Sequence, residues 1–489
     1  MAEEKISYSR IKMKAGLEIH QQLDTEHKLF CSCSTKMASR EPIMEVKRKL
    51  HPVASELGKI DIAAQYEYLR NRVINYQVFP KEACLVELDE EPPHDLDLEA
   101  LHIALQIAML LNCEIPEEIH VMRKTVIDGS NTSGFQRTAI VGMNGYLKHK
   151  GKKIEITQVC LEEDAAAAVE QSEQAATYRL NRLGVPLVEI STGILSGFKP
   201  EDVQEIAYLI GIICRSTSKV KHGIGSIRQD LNVSIRDGPR VEIKGVQDLG
   251  LIAKVVEKEV ERQLGLPKSK VSHETRHVDP SGLTHFTRPL PGADRMYPET
   301  DVRPVALTKD YIKEVRAKLP EPYTKKLSRF KSKLKLSNDL AAQIINSRYL
   351  ELFEEITKRK KIDAPVVANT FVSTLKDLRR REKLSTKNVN PRQFTDLFDK
   401  LASGEIVKEA IPEILKYLCQ NPEATVSSAI SELGLETIKK SELVSMARAL
   451  VKENPTLDRD KIFGIMMSRI RGKADPEDVM AIVKKIKRK

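Results

Sequence analysis

Two hydrophobic periods divide this chain, and the change between them near Pro304 limits the folds open to it. Before that point strand-like alternation mixes with helical stripes; after it helical patterns dominate. Such segregation predicts an α+β fold class, with a mixed, largely antiparallel sheet domain followed by all-α helical and tail domains. At 489 residues the chain exceeds one compact core. The expected divisions are a catalytic domain over 1–304, a helical domain over 305–421 and a basic helical tail over 422–489, the last break falling at Gln420-Asn421-Pro422.

In the front part, Leu17, Ile19, Gln21 and Leu23 alternate with Glu18, His20 and Gln22, which is a strand period. Leu101 to Leu111 is apolar nearly all round and follows the acidic Asp95 to Glu99, predicting a buried helix entered at an Asp cap. Pro200 to Ile213 predicts a second helix, with Pro200, Glu201 and Asp202 in its first turn. Leu251 to Leu264 predicts a third, closed by Gly265.

Three polar groupings stand against this background. Glu18 and His20 lie two apart on a strand and so share a face. A carboxylate and an imidazole so placed can bind one divalent ion, although an ordinary polar strand face has the same look. Glu162-Glu163-Asp164 directly precede Ala165 to Ala168, which predict the start of a helix; acids there serve either a site or the helix dipole. Arg228 to Ile235 alternates strictly, with Asp230, Asn232 and Ser234 on one face. Beyond the turn at Arg236 to Arg240, Glu242 and Lys244 share a face. Matching polar faces across this hairpin favours an odd loop, Asp237-Gly238-Pro239, which sets Glu242 opposite Ser234 and Lys244 opposite Asn232.

Together these candidates are rich in oxygen, with one nitrogen from His20, a set that suits Mg²⁺ or Mn²⁺ better than Zn²⁺. Two loops add polar groups. Asp128 to Arg137 carries hydroxyls, amides and glycines that either cradle phosphate or simply turn the chain. Arg295 to Asp301 packs an arginine, a tyrosine and two acids around Pro298. Neither a P-loop nor a convincing dinucleotide fingerprint is present.

The formal charge of +10 is compatible with a polyanionic partner without identifying one. Seven cysteines, an odd number at irregular spacing, together with no signal-type start and no apolar run of ~18–20 residues, predict a cytoplasmic protein with reduced thiols.

Five motifs then resemble, in order, those of the GatB/GatE family of tRNA amidotransferase subunits. They are Gly16 to His20, Leu161 to Asp164, Asn181 to Ile190, Arg228 to Asn232 and Met296 to Asp301. The resemblance extends into the helical part through Gly464 to Met467 and Gly472 to Pro476. Asp128 to Arg137, Leu85 to Pro93 and Ser226 to Asp230 look like the archaeal E branch rather than the bacterial B branch. That branch usually carries an inserted domain resembling part of bacterial aspartyl-tRNA synthetases, where this sequence has only Pro267 to Val271.

The resemblance implies an ATP- and Mg²⁺-dependent ligase that phosphorylates glutamate esterified to tRNA(Gln) and lets ammonia displace the phosphate. By motif position it implies Glu18, His20, Glu163 and Asp230 as catalytic residues and Glu18, His20, Glu163 and Glu242 as metal ligands. Lys124, Ser133 and Arg137 are candidates for nucleotide contact, and Arg469, Arg471, Lys473 and the terminal lysines for tRNA phosphate. The implied partner is an asparaginase-like amidase, the D component of the complex, in a heterotetramer; no amidase signature occurs in the sequence itself. A bacterial, B-type member acting on Glu-tRNA(Gln) or Asp-tRNA(Asn), and a non-catalytic tRNA-binding protein, are the competing readings. Bacterial-type relatives bind structural zinc through a C-x-C and a later C-x-x-C. Here Cys31-Ser32-Cys33 lacks that later pair and only Cys84 is available to join, so an incomplete site is expected.

Overall fold

The computed structural model describes residues 7–487, except 39–40, 50–64, 66–67, 224, 237, 267–271, 291–295 and 360–361. Asp237, Pro267 to Val271, Arg295 and Lys489, the last of the terminal lysines, lie outside the described residues. The chain forms two compact units, Met1–Pro322 and Tyr323–Lys489.

The first unit opens with β1 (Lys14–Gln22), β2 (His27–Lys28), β3 (Cys31–Ser34), β4 (Met44–Lys49), β5 (Val73–Val78) and α1 (Leu98–Leu110). Next come β6 (Glu118–Ile119), β7 (Val121–Thr125), β8 (Phe135–His149), β9 (Lys152–Glu163), β10 (Ala167–Gln171), β11 (Ala175–Arg179), β12 (Pro186–Thr192) and β13 (Leu195–Ser196). It ends with α2 (Pro200–Ser216), β14 (Ile227–Ser234), β15 (Val241–Val246), α3 (Ile252–Gly265), β16 (Glu274–Val278), β17 (Thr284–Pro289), β18 (Met296–Pro298), β19 (Val305–Ala306) and α4 (Lys309–Ala317).

A large sheet orders its strands β17-β16-β15-β14-β1-β12-β9-β8-β7-β18, with β13 also on β1. Among its described pairs only β15–β16 is parallel, so the sheet is mixed and largely antiparallel. A second sheet runs β10-β11-β5-β4. The all-round apolar α1 is capped by Asp97, whose carboxylate accepts from Ala100 N, and it packs on β8 and β9. α2 packs on β1 and α3 on β14, so Leu17, Ile19, Val188, Ile190, Leu231 and Val233 are buried under helices. A one-residue slip of β1 would bring Leu17 and Ile19 out of this core, a loss of about 3–6 kcal/mol for two large side chains. The opposite face is therefore held in register, and it carries Glu18 and His20.

Three expectations change. Ala165 to Ala168 do not start a helix: Arg182 takes the carbonyls of Ala165 and Ala166, and Ala167 onward pairs with β11. Tertiary pairing overrides the helix propensity of alanine there. In the β14–β15 hairpin Glu242 pairs with Asn232, not Ser234. The ladder opens early because Arg236 N donates to Ile11 O at 2.8 Å and Gly238 N turns back to Ile235 O at 3.0 Å. Parity is kept, so Glu242 stays on the face of Asp230 and Asn232. The boundaries also move. Val315 of α4 is buried in the core of the first unit, which therefore continues past 304.

The second unit is helical throughout among the described residues. Its hydrophobic clusters divide between Leu435 and Leu443, because the helix Val426–Leu433 packs back on the earlier cluster rather than opening the tail at 422. Among the described residues no helix is long and apolar enough to cross a membrane.

Candidate active site

β1 pairs with β12 on one side and β14 on the other, so residues from three strands meet on the uncovered face. Glu18 stands opposite Asp230 and Ser191, and His20 opposite Glu189 and Arg228. Glu162 of β9 and Lys124 of β7 extend the same face.

Two groups of ligand atoms result. In the first, His20, Glu162 and Glu189 each bring one donor atom within 4.8 Å of the others. His20 Nε2 is 3.1 Å from Glu189 Oε2, and Lys124 Nζ bridges Glu189 at 2.9 Å and Glu162 at 3.2 Å. Thr138 donates to Glu162 Oε1 at 2.7 Å, while Glu162 Oε2 is buried without a hydrogen-bond partner. In the second group Glu18, Asp230 and Glu242 come equally close. Lys244 Nζ sits 2.8 Å from both Asp230 Oδ2 and Glu242 Oε1. Asn232 donates to Glu18 Oε1 at 3.1 Å, and Thr275 to Glu242 Oε2 at 2.9 Å. At the β15 bulge Gly245 has φ +85°, and its N–H points at Asp230 Oδ1, 3.3 Å away.

The electrostatics follow from this crowding. Burial, then the charges of Glu189 and Glu242, push the Glu18 carboxyl up. Burial and Glu189 likewise raise Glu162, whereas Lys124 and His20 overcome burial and hold Glu189 well below the carboxylate range. Burial opposes charge on His20, but the hydrogen bond and charge of Glu189 outweigh it and raise its pKa. Lys244 overcomes burial at Asp230 and Glu242 and lowers both. The face thus holds concentrated negative charge, offset by two ammonium groups, and its donors are mostly oxygen. The chemistry of this donor set fits Mg²⁺ or Mn²⁺, and Glu162 Oε2 is one acceptor on it without a hydrogen-bond partner.

The three successive acids do different things. Glu162 faces His20. Glu163 lies on the opposite side of β9, where its Oε1 accepts Arg137 N at 2.8 Å, and Arg137 continues to Glu299 Oε2 at 2.8 Å. Asp164 accepts Gln22 Nε2 and Arg228 Nη2, each at 2.6 Å. The structure therefore brings together Glu18, Asp230 and Glu242, and places His20 beside them with Lys124. It sets Glu163 apart, with Ser133 and Arg137, in a small cavity also lined by Phe30, Glu87 and Gly184. Sequence reasoning did not place Glu162 or Glu189 as ligands. A lone carboxylate inside the apolar run Pro186 to Ile190 was the available signal for Glu189.

The Asp128–Arg137 loop is tied down from the second sheet. The stacked, buried Tyr76 and Tyr178 donate to Gly129 O at 2.6 Å and Asp128 O at 3.1 Å. Near it, Cys31, Cys33, Cys84 and Glu87 bring donor atoms within 4.8 Å of one another. Cys31 Sγ donates to Glu87 Oε1 at 2.9 Å and accepts Cys33 N at 3.4 Å; the neighbouring thiols and burial push the Cys31 thiol up. In the second unit Arg469 and Arg471 are exposed, Lys473 is half-buried, and Lys487 is engaged with the carbonyls of Pro455 and Leu457.

Sequence comparison supplies the family. Residues 13–313 match the GatB/GatE catalytic domain and residues 351–486 the GatB domain. The chain belongs to the GatB/GatE family. It is similar to the E subunit of glutamyl-tRNA(Gln) amidotransferase from Methanocaldococcus jannaschii, with 35% identity covering 98% of this chain and 99% of that protein. The corresponding E subunit from Thermococcus sibiricus is 34% identical, covering 98% of both chains. The alignment with the Methanocaldococcus protein spans 626 positions against 489 residues here, so at least 137 of its positions have no counterpart in this chain.

Proposed function

We propose that this chain is the phosphorylating, tRNA-binding subunit of an E-type glutamyl-tRNA(Gln) amidotransferase, a ligase that converts Glu-tRNA(Gln) to Gln-tRNA(Gln). The observation carrying this reading is the pair of acidic groups on one sheet face, each bridged by a lysine. The γ-phosphoryl of ATP passes to an oxygen of the tRNA-bound glutamate, ADP leaves, and ammonia then attacks the activated carbonyl and expels phosphate. His20, Glu162 and Glu189 form one set of residues to hold Mg²⁺, and Glu18, Asp230 and Glu242 a second. Bound magnesium draws charge off the transferring phosphoryl group.

The chain's own groups do the positioning. Lys124 and Lys244 already stand where negative charge converges, each on two carboxylates, and supply the cationic groups that meet phosphate oxygens. Asn232 and Thr275 orient Glu18 and Glu242, and Arg228 is fixed beside His20 by Asp164. Glu163 and Arg137, on the other side of β9, support the Asp128–Arg137 loop rather than the metal. Ammonia comes from a partner amidase, the asparaginase-like D component, in a heterotetramer in the cytoplasm. The exposed Arg469 and Arg471 offer charge to tRNA phosphate.

The test is release of phosphate from ATP that depends on Glu-tRNA(Gln), with ammonium chloride as nitrogen source and purified chain. Wild type should respond to Mg²⁺, and Glu189→Gln should lose at least ~100-fold of the rate. Equal rates in the two proteins would remove this face from the reaction.

A further inference from the structure

His149, Asp202 and Glu205 cluster outside the acidic face, and none of them enters the proposed reaction. β8 ends at His149, and Lys150 and Gly151 turn the chain into β9 with φ of +46° and +78°. The tight turn sets His149 and Lys150 against the first turns of α2. There Asp202 and Glu205, spaced i and i+3, share a helix face. Asp202 Oδ2 accepts Lys199 N at 2.9 Å, which leaves Oδ1 facing the hairpin.

The side chain of His149 is 6% exposed and lies beside Phe198, with ring centroids 6.4 Å apart. Its Nε2 is 3.5 Å from Asp202 Oδ1 and 3.4 Å from Glu205 Oε2, yet among the described residues it makes no hydrogen bond. A buried ring nitrogen without a partner is costly, and this one is placed between two carboxylate oxygens. All three donor atoms lie within 4.8 Å of one another. A tetrahedral zinc with nitrogen and oxygen ligands at about 2.1 Å has ligand–ligand edges of about 3.4 Å. The two distances from Nε2 match such edges, whereas an octahedral magnesium site needs about 2.9 Å. An imidazole donor also suits zinc better than magnesium.

Lys150 Nζ stands 2.7 Å from Asp202 Oδ1 and 2.9 Å from Glu205 Oε2, so a cation already bridges the two acids. One ammonium offsets one of the two carboxylate charges; a divalent ion offsets both. Glu205 is half exposed, which opens the cluster to an entering ion and to water as a fourth ligand.

We propose that His149, Asp202 and Glu205 hold one zinc ion, with water completing its shell, and that Lys150 competes with the ion for the two carboxylates. This inference stands apart from the phosphorylation reading. The loaded site fastens the β8–β9 hairpin to α2, the helix that packs on β1.

The experiment is equilibrium dialysis of the full chain against Zn²⁺, with bound metal counted per chain. Zinc on the acidic face or the cysteines is common to all variants and cancels in the difference. Wild type should bind one equivalent more than Glu205→Gln, a change at an exposed side chain, with circular dichroism checking that the variant is folded. His149→Gln should lose the same equivalent. Lys150→Ala should hold it at least ~10-fold more tightly, because the competing ammonium is gone. In protein with ¹⁵N-labelled histidine, the His149 Nε2 signal, assigned from His149→Gln, should shift as this equivalent binds. Equal uptake by wild type and folded Glu205→Gln overturns the site. An unmoved Nε2 signal overturns the role of His149, and unchanged affinity in Lys150→Ala overturns the competition.

Discussion

Lys124→Met separates a cation site from an ordinary ion pair. Its Nζ lies 2.9 Å from Glu189 and 3.2 Å from Glu162, and its side chain is 19% exposed. At an effective dielectric of ~20 each contact is worth about 5–6 kcal/mol gross. Burying the ammonium costs several kcal/mol, so the net loss on removing it is about 3–5 kcal/mol, the usual result of leaving buried charge unpaired. That loss should be large only without metal. A divalent ion between Glu162 and Glu189 replaces the missing charge and stabilises by ~2.7 kcal/mol at a hundredfold excess over its Kd. The assay is calorimetric melting of wild type and variant, with EDTA and with Mg²⁺. The gap between the two proteins should narrow by roughly half in Mg²⁺. A gap of the same size under both conditions would refute the idea that Lys124 occupies a cation position.

Three further outcomes are expected. His20 carries a raised pKa because of Glu189, so its charged form stabilises the fold below the unfolded value of ~6.5, and that contribution is lost as pH rises through the folded pKa. Metal needs the neutral ring, so Mn²⁺ affinity, followed by calorimetric titration from pH 6 to 9, should strengthen over that same rise and should lose this dependence in His20→Ala. Glu162→Gln should weaken Mn²⁺ binding at least ~10-fold, whereas Glu163→Gln should leave it unchanged and lower the melting temperature through lost pairing with Arg137. Gly245→Ala would set a Cβ 2.6 Å from His277 Cε1 at a backbone φ of +85°, so a loss of about 1–3 kcal/mol in a denaturant melt is expected, together with weaker metal binding through displaced Asp230.

Much of this site was legible because strands have a period of two. Alternation alone put Glu18 with His20, and Asp230 with Asn232, and parity kept Glu242 on their face even though the register shifted by two residues. What alternation cannot give is the neighbour across a long-range ladder. β9 meets β12 and β12 meets β1 through contacts that leave no local trace, so motif position put Glu163 with His20, whereas Glu162 is the residue that faces it. The alanine run after Asp164 misled for the same reason, since Arg182 and β11 claim its backbone from a distance.

The central position of β1 also has a consequence for synthesis. His20 waits 169 residues for Glu189, and Glu18 waits 214 for Asn232. A growing chain therefore carries the first half of this polar face long before the second half exists. Until Ser234 has left the ribosome, the nascent protein has no partner strand for the second edge of β1, which remains an open edge that other chains can meet.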